Sequence, residues 1–163
     1  MYLAIGAITS AGSSPIVRVA AGEPWLLKRA LDAGAHGIMI PMCETKVCNL
    51  TSLENCPVAF AIPFITIMQE QAAAIVAAMK YPSKRWPQGI RGAGAMFAPA
   101  NFNQDSRQYL ETANNNVLVI VQIETRKALD NVDEIAATDG IGKLNYPRSF
   151  NIYFGHMHAD YMR

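Results

Sequence analysis

Residues Val117–Thr125 read VLVIVQIET. Six β-branched residues in nine positions, with no polar side chain before Gln122, describe a strand covered on both faces, as in a parallel sheet. Working outward, Pro15–Val19 (PIVRV), Gly37–Met42 (GIMIPM) and the short Gly89–Gly92 (GIRG) have the same character. Helical patterns lie between them. Pro24–Ala33 has proline at a first helical position and glycine just past its end, and Glu70–Lys80 is alanine-rich with apolar spacing. Asp105–Asn114 and Thr125–Ala137 read as further helices. Strand–helix alternation at this spacing requires βαβ crossovers, hence a (β/α) barrel or a doubly wound sheet. A full (β/α)8 barrel takes about 250 residues, whereas this chain has 163 and four strand-like stretches. The expected fold is an α/β, incomplete (β/α)8 TIM barrel with about half its strands.

Composition narrows the function classes. The chain is 51% hydrophobic and 17% charged, against roughly 25% charged in an average domain, so most of it can build a core. A net charge of +1 and dispersed Lys/Arg argue against nucleic acid as a partner. The longest apolar run, Pro57–Met68, stops at 12 residues and holds two prolines, too short to span a bilayer. The start of the chain lacks a positively charged segment and cleavage signal. Three cysteines argue against a closed disulfide framework. A cytoplasmic domain is expected, with no membrane partner.

Three side chains stand out. Arg18 interrupts an apolar strand, and a guanidinium there needs a partner; it faces either a ligand anion or a structural carboxylate. Gln122 and Glu124 end the most hydrophobic strand at i, i+2, hence on one face. At the C-terminal end of a parallel strand such residues line a ligand site. Glu124 suits a hard divalent ion or, alternatively, caps the helix that follows. Gly89–Ala95 (GIRGAGA) could cradle an anion through backbone N–H groups, though a tight connection explains it as well. His156, His158 and Asp160 form an HxHxD pattern with too few further ligands for zinc. Cys43, Cys48 and Cys56 lack CxxC spacing.

These motifs meet in one resemblance. SPIVRVAAGEPWLLKRALDAGAHGIMIPM, KYPSKRWPQGIRGAG and NVLVIVQIETRKALDNVDEIAATDGI, in this order, resemble the HpcH/HpaI aldolases, metal-dependent class II pyruvate aldolases. The resemblance implies a lyase that reversibly cleaves a 4-hydroxy-2-oxo acid to pyruvate and an aldehyde through a metal-stabilised enolate. It implies Mg2+ or Mn2+, with Co2+ a further candidate, and a homo-oligomer. Arg18 matches the family's catalytic and substrate-binding arginine, Gln122 a substrate-site glutamine and Glu124 a metal carboxylate. The family's base histidine precedes the region matching Met1, and its second metal carboxylate belongs to a Gly-Pro-x-Asp-Leu strand where this chain reads GKLNYPRSF. Turnover by this chain is therefore expected to be impaired.

The expected organisation is a barrel portion over 1–141, interrupted by an atypical insertion at 47–69, and a tail over 142–163 outside the family pattern. Both odd stretches fit translated introns: the insertion is 23 residues, begins with valine and ends with glutamine, and Gly142-Lys143 can encode a splice donor. Two other functions compete with the lyase: a non-catalytic partial barrel acting through self-association, and a small metallohydrolase using the HxHxD tail.

Overall fold

The computed structural model describes residues 1–45 and 71–146. The insertion at 47–69, most of the tail and the His156/His158/Asp160 pattern lie outside the described residues, as do Cys48 and Cys56. Among the described residues four strands form one sheet: β1 (Ile16–Arg18), β2 (Gly37–Ile40), β3 (Leu118–Gln122) and β4 (Lys143–Asn145). Their spatial order is β1-β2-β3-β4 and every pairing is parallel. An order that follows the chain without reversal belongs to a barrel wall; a doubly wound sheet reverses at its switch point.

The connections are helical. α1 (Tyr2–Ser10) precedes β1 and α2 (Pro24–Asp32) follows it. α3 (Gln71–Met79), α4 (Ala98–Asn101) and α5 (Ser106–Asn116) lie between β2 and β3. α6 (Arg126–Asp130) and α7 (Val132–Ala136) lead to β4. α2 carries Pro24 in its first turn and is followed by Gly34 at φ +95°, a left-handed turn. A Cβ on Gly34 would sit 2.3 Å from the Asn101 amide, so conformation and space both require glycine. α5 is closed by an Asp105–Gln108 capping box.

One core joins sheet and helices. Leu27 and Leu31 of α2, Ile75 and Met79 of α3, Ile38, Ile40, Val119 and Val121 of the strands, and Ile135 of α7 are all buried in it. Each such side chain contributes about 1.5–3 kcal/mol relative to exposure. The alternate strand residues point to the other, open face, where Ile16 and Leu118 remain 43% and 36% exposed.

Two sequence expectations change. Gly89–Gly92 is not a strand. The Arg91 N–H donates to the Lys80 carbonyl, and its guanidinium is buried against the Tyr81 ring and donates to Tyr109 Oη at 2.8 Å. The segment is held by helices rather than by the sheet, and the fourth strand is instead Lys143–Asn145. The helix expected over 125–137 breaks at Asn131 (φ −105°, ψ 11°), whose amide donates to the carbonyls of Lys127 and Glu44. Among the described residues no helix is long and apolar enough to cross a membrane.

Candidate active site

Arg18 is the last residue of β1 and Gln122 the last of β3, so both stand at the C-terminal edge of the sheet. Alternation along β3 turns Val119 and Val121 to the core and Gln122 to the open face. There Arg18 Nε donates to Gln122 Oε1 at 2.7 Å. Arg18 Nη2 lies 3.9 Å from Glu124 Oε1. The i, i+2 spacing thus delivers both polar residues to the same guanidinium. The Arg18 side chain is 54% exposed, which corrects the expectation of a buried charge: among the described residues β1 has a strand neighbour on one side only, and its open face leaves the guanidinium accessible.

Glu124 does not cap the following helix. That role falls to Thr125, whose Oγ1 accepts from the Ala128 N–H at 3.1 Å. Glu124 Oε2 accepts instead from the Met42 N–H at 3.0 Å. Met42 reaches this position with φ +54°, a left-handed conformation that costs a non-glycine residue about 1 kcal/mol or more. The segment is fastened on both sides. The Cys43 N–H donates to the Gln122 carbonyl at 3.2 Å. Glu44 accepts from Thr125 Oγ1 at 2.9 Å and pairs with Lys127 at 3.4 Å.

Sequence reading missed Met42, because a backbone N–H and a strained φ leave no mark in residue type, and missed Glu44, because its side-chain partners Thr125 and Lys127 lie far along the chain. Cys43 lies just beneath, and burial first, then the Glu44 charge, pushes its thiol up to about 12. It is a core residue and no nucleophile at neutral pH.

The arrangement offers a charged fork (Arg18), an amide with its Nε2 donor uncommitted among the described residues (Gln122), and a backed carboxylate (Glu124). It can hold a small oxygen-rich anion. Parallel strands in chain order with polar groups at their C-terminal ends are the layout of a (β/α)8 active face. A family model, HpcH/HpaI aldolase/citrate lyase, matches residues 46–146. The chain belongs to the HpcH/HpaI aldolase/citrate lyase family.

Relatives of this family are similar over most of the chain. A hydroxypyruvate/pyruvate aldolase of Roseovarius nubinhibens is 39% identical over 146 residues, 89% of this chain and 46% of the relative. A 2-dehydro-3,6-dideoxy-6-sulfogluconate aldolase of Pseudomonas putida is 39% identical over 138 residues, 85% of this chain and 43% of the relative. A crystal structure of an HpcH/HpaI aldolase/citrate lyase family protein from Burkholderia cenocepacia J2315 superposes with a TM-score of 0.67 and 36% identity. It covers 96% of this chain and 54% of the other. The chain thus spans about half the length of the relatives it matches, and the four parallel strands of the described residues amount to half of a (β/α)8 barrel.

Proposed function

We propose that this chain carries part of the active face of a 2-oxo acid aldolase. The reaction is the reversible cleavage of a 4-hydroxy-2-oxo acid to pyruvate and an aldehyde. The observation that carries the reading is the meeting of Arg18, Gln122 and Glu124 at the C-terminal ends of parallel strands. The names of the aldolase relatives support it. In this reading the Arg18 guanidinium holds the substrate carboxylate and the oxygen that gains charge as the carbon–carbon bond opens. Gln122 directs its Nε2 donor at the same oxygens, its Oε1 being occupied by Arg18.

Glu124 is the residue that would hold a divalent ion. Its oxygens fit a hard cation such as Mg2+ or Mn2+ in kind, and the Met42 N–H fixes their direction. Among the described residues no group of three His, Cys, Asp or Glu side chains surrounds one point, so further ligands must come from the substrate, water or other residues. Such an ion, when bound, supplies Lewis-acid polarisation of the 2-oxo group. The setting proposed is cytoplasmic and the partner a small 2-oxo acid, with no nucleic acid or membrane.

A specific observation favours a second reading. Among the described residues β1 and β4 each have a strand neighbour on one side only, and open edges invite association. A non-catalytic partial barrel would then act through self-association alone. Incubation with a 4-hydroxy-2-oxo acid and Mn2+, with pyruvate followed by a lactate dehydrogenase coupling assay, separates the two. Slow release that is absent in Glu124→Gln supports the lyase; no release from the unmodified chain counts against it.

A further inference from the structure

The N-terminal ends of β3 and β4 border a cavity of about 380 Å3, on the rim of the sheet opposite to Arg18, Gln122 and Glu124. That volume suits a small molecule. Lys80, Arg85 and Trp86 enter it from the chain after α3, Asn115 and Asn116 from the end of α5, and Gly140 from the turn before β4. Gly140 has φ +95°, and a Cβ on it would lie 2.8 Å from the Trp86 ring, so glycine lets the backbone lie against the indole.

The lining is one-sided in charge. Lys80 is only 4% exposed, and its ammonium donates to the Asn114 carbonyl. The Lys80 ammonium and the Arg85 guanidinium each lie 5.4 Å from the centre of the Trp86 ring. Burial first, then the Arg85 charge, holds the Lys80 ammonium below its ordinary pKa. Against these two cations stands one carboxylate, the exposed Asp139, 3.6 Å from Arg85. Donors are also in excess. The buried Trp86 N–H has no acceptor, although buried polar groups are normally paired. The Lys80 ammonium has two further protons to give. The exposed amides of Asn115 and Asn116 have no hydrogen bond among the described residues. A phosphate group, with nearly two charges and three strong acceptor oxygens, answers this excess better than a carboxylate.

We propose that this cavity is a second binding site, taking a phosphate group as the free ion or as a small monoester. Lys80 and Arg85 are its charged contacts, and the Trp86 N–H and the Asn116 amide its neutral donors. The site shares no residue with the one at the other end of β3, and it stands independently of the 2-oxo acid reading.

The test is titration of the whole chain, 15N-labelled at its two tryptophans, with inorganic phosphate at low salt. Trp86→Phe assigns the two indole N–H resonances. The Trp86 signal is expected to shift saturably with a Kd of about 1 mM, while the Trp25 signal stays in place. Arg85→Gln and Asn116→Asp, both at exposed positions, each weaken binding about tenfold, and Arg18→Met leaves it unchanged. Glycerol 3-phosphate separates the two sources: tighter binding than inorganic phosphate identifies a monoester, and equal or weaker binding the free ion. A Trp86 resonance that does not move, or that moves alike in Arg85→Gln and Asn116→Asp, overturns the proposal. Loss of the shift in Arg18→Met also overturns it and assigns the phosphate to the opposite rim.

Discussion

Replacing Arg18 by methionine separates what this residue does for the fold from what it does for a ligand. The side chain is 54% exposed and its carboxylate partner lies at 3.9 Å, so the ion pair adds less than about 1 kcal/mol to stability. The larger structural loss is the hydrogen bond to Gln122, which is 6% exposed; an orphaned amide oxygen costs about 1 kcal/mol or a little more. A domain of this size then loses roughly 2–4 °C in Tm per kcal/mol. A bound carboxylate loses far more, because charge-assisted bonds to a guanidinium contribute roughly 1.5–3 kcal/mol. Removal of the fork should weaken oxalate or pyruvate about 100-fold. Differential scanning calorimetry and calorimetric titration on the same preparation read both quantities. Arg18→Lys should recover only part of the affinity, since an ammonium cannot make the bidentate contact. An affinity within threefold of the parent, or a collapse of the fold, would rule out this division of roles for Arg18.

Other consequences follow from the same contacts. Burial pushes the Cys43 and Tyr81 acids up to about 12 from 9.0 and 10.0. Above pH 9 the unfolded chain releases these protons while the folded chain keeps them, so stability should fall from pH 9 towards 12. Cys43→Ala should flatten the first part of that decline in a Tm-versus-pH series. Thr125→Ala removes both the cap of α6 and a donor to Glu44; about 1–2 kcal/mol should be lost in urea unfolding, with hydrogen exchange rising at Ala128. Deleting 47–69 removes an apolar, proline-bearing stretch and should raise soluble yield; an unchanged yield would count against its being foreign to the domain.

What could be read in the sequence is what local chemistry writes there. Continuous β-branched runs gave β1, β2 and β3, and Pro24 with Gly34 bracketed α2. The pairing of Arg18 with Gln122 was implicit in two interruptions of apolar strands, at residues 18 and 122. Other features depend on tertiary context. GIRG resembles a strand in composition, yet Arg91 is drawn out of the sheet by two tyrosine rings. Lys143–Asn145 has little strand propensity and becomes β4 because Ile120 and Gln122 present an open edge. α1 went unread since it lacks a side-chain N-cap and is apolar nearly all round. Met42 could not be found from its identity, because its contribution to Glu124 is a backbone N–H at positive φ.

In the proposed function Glu124 and Arg18 face one small 2-oxo acid. Line broadening of 13C-labelled pyruvate by added Mn2+ tests it most directly. Protein-dependent broadening is expected in the unmodified chain and is lost in Glu124→Gln and in Arg18→Met, both still folded. Equal broadening in all three proteins would contradict it.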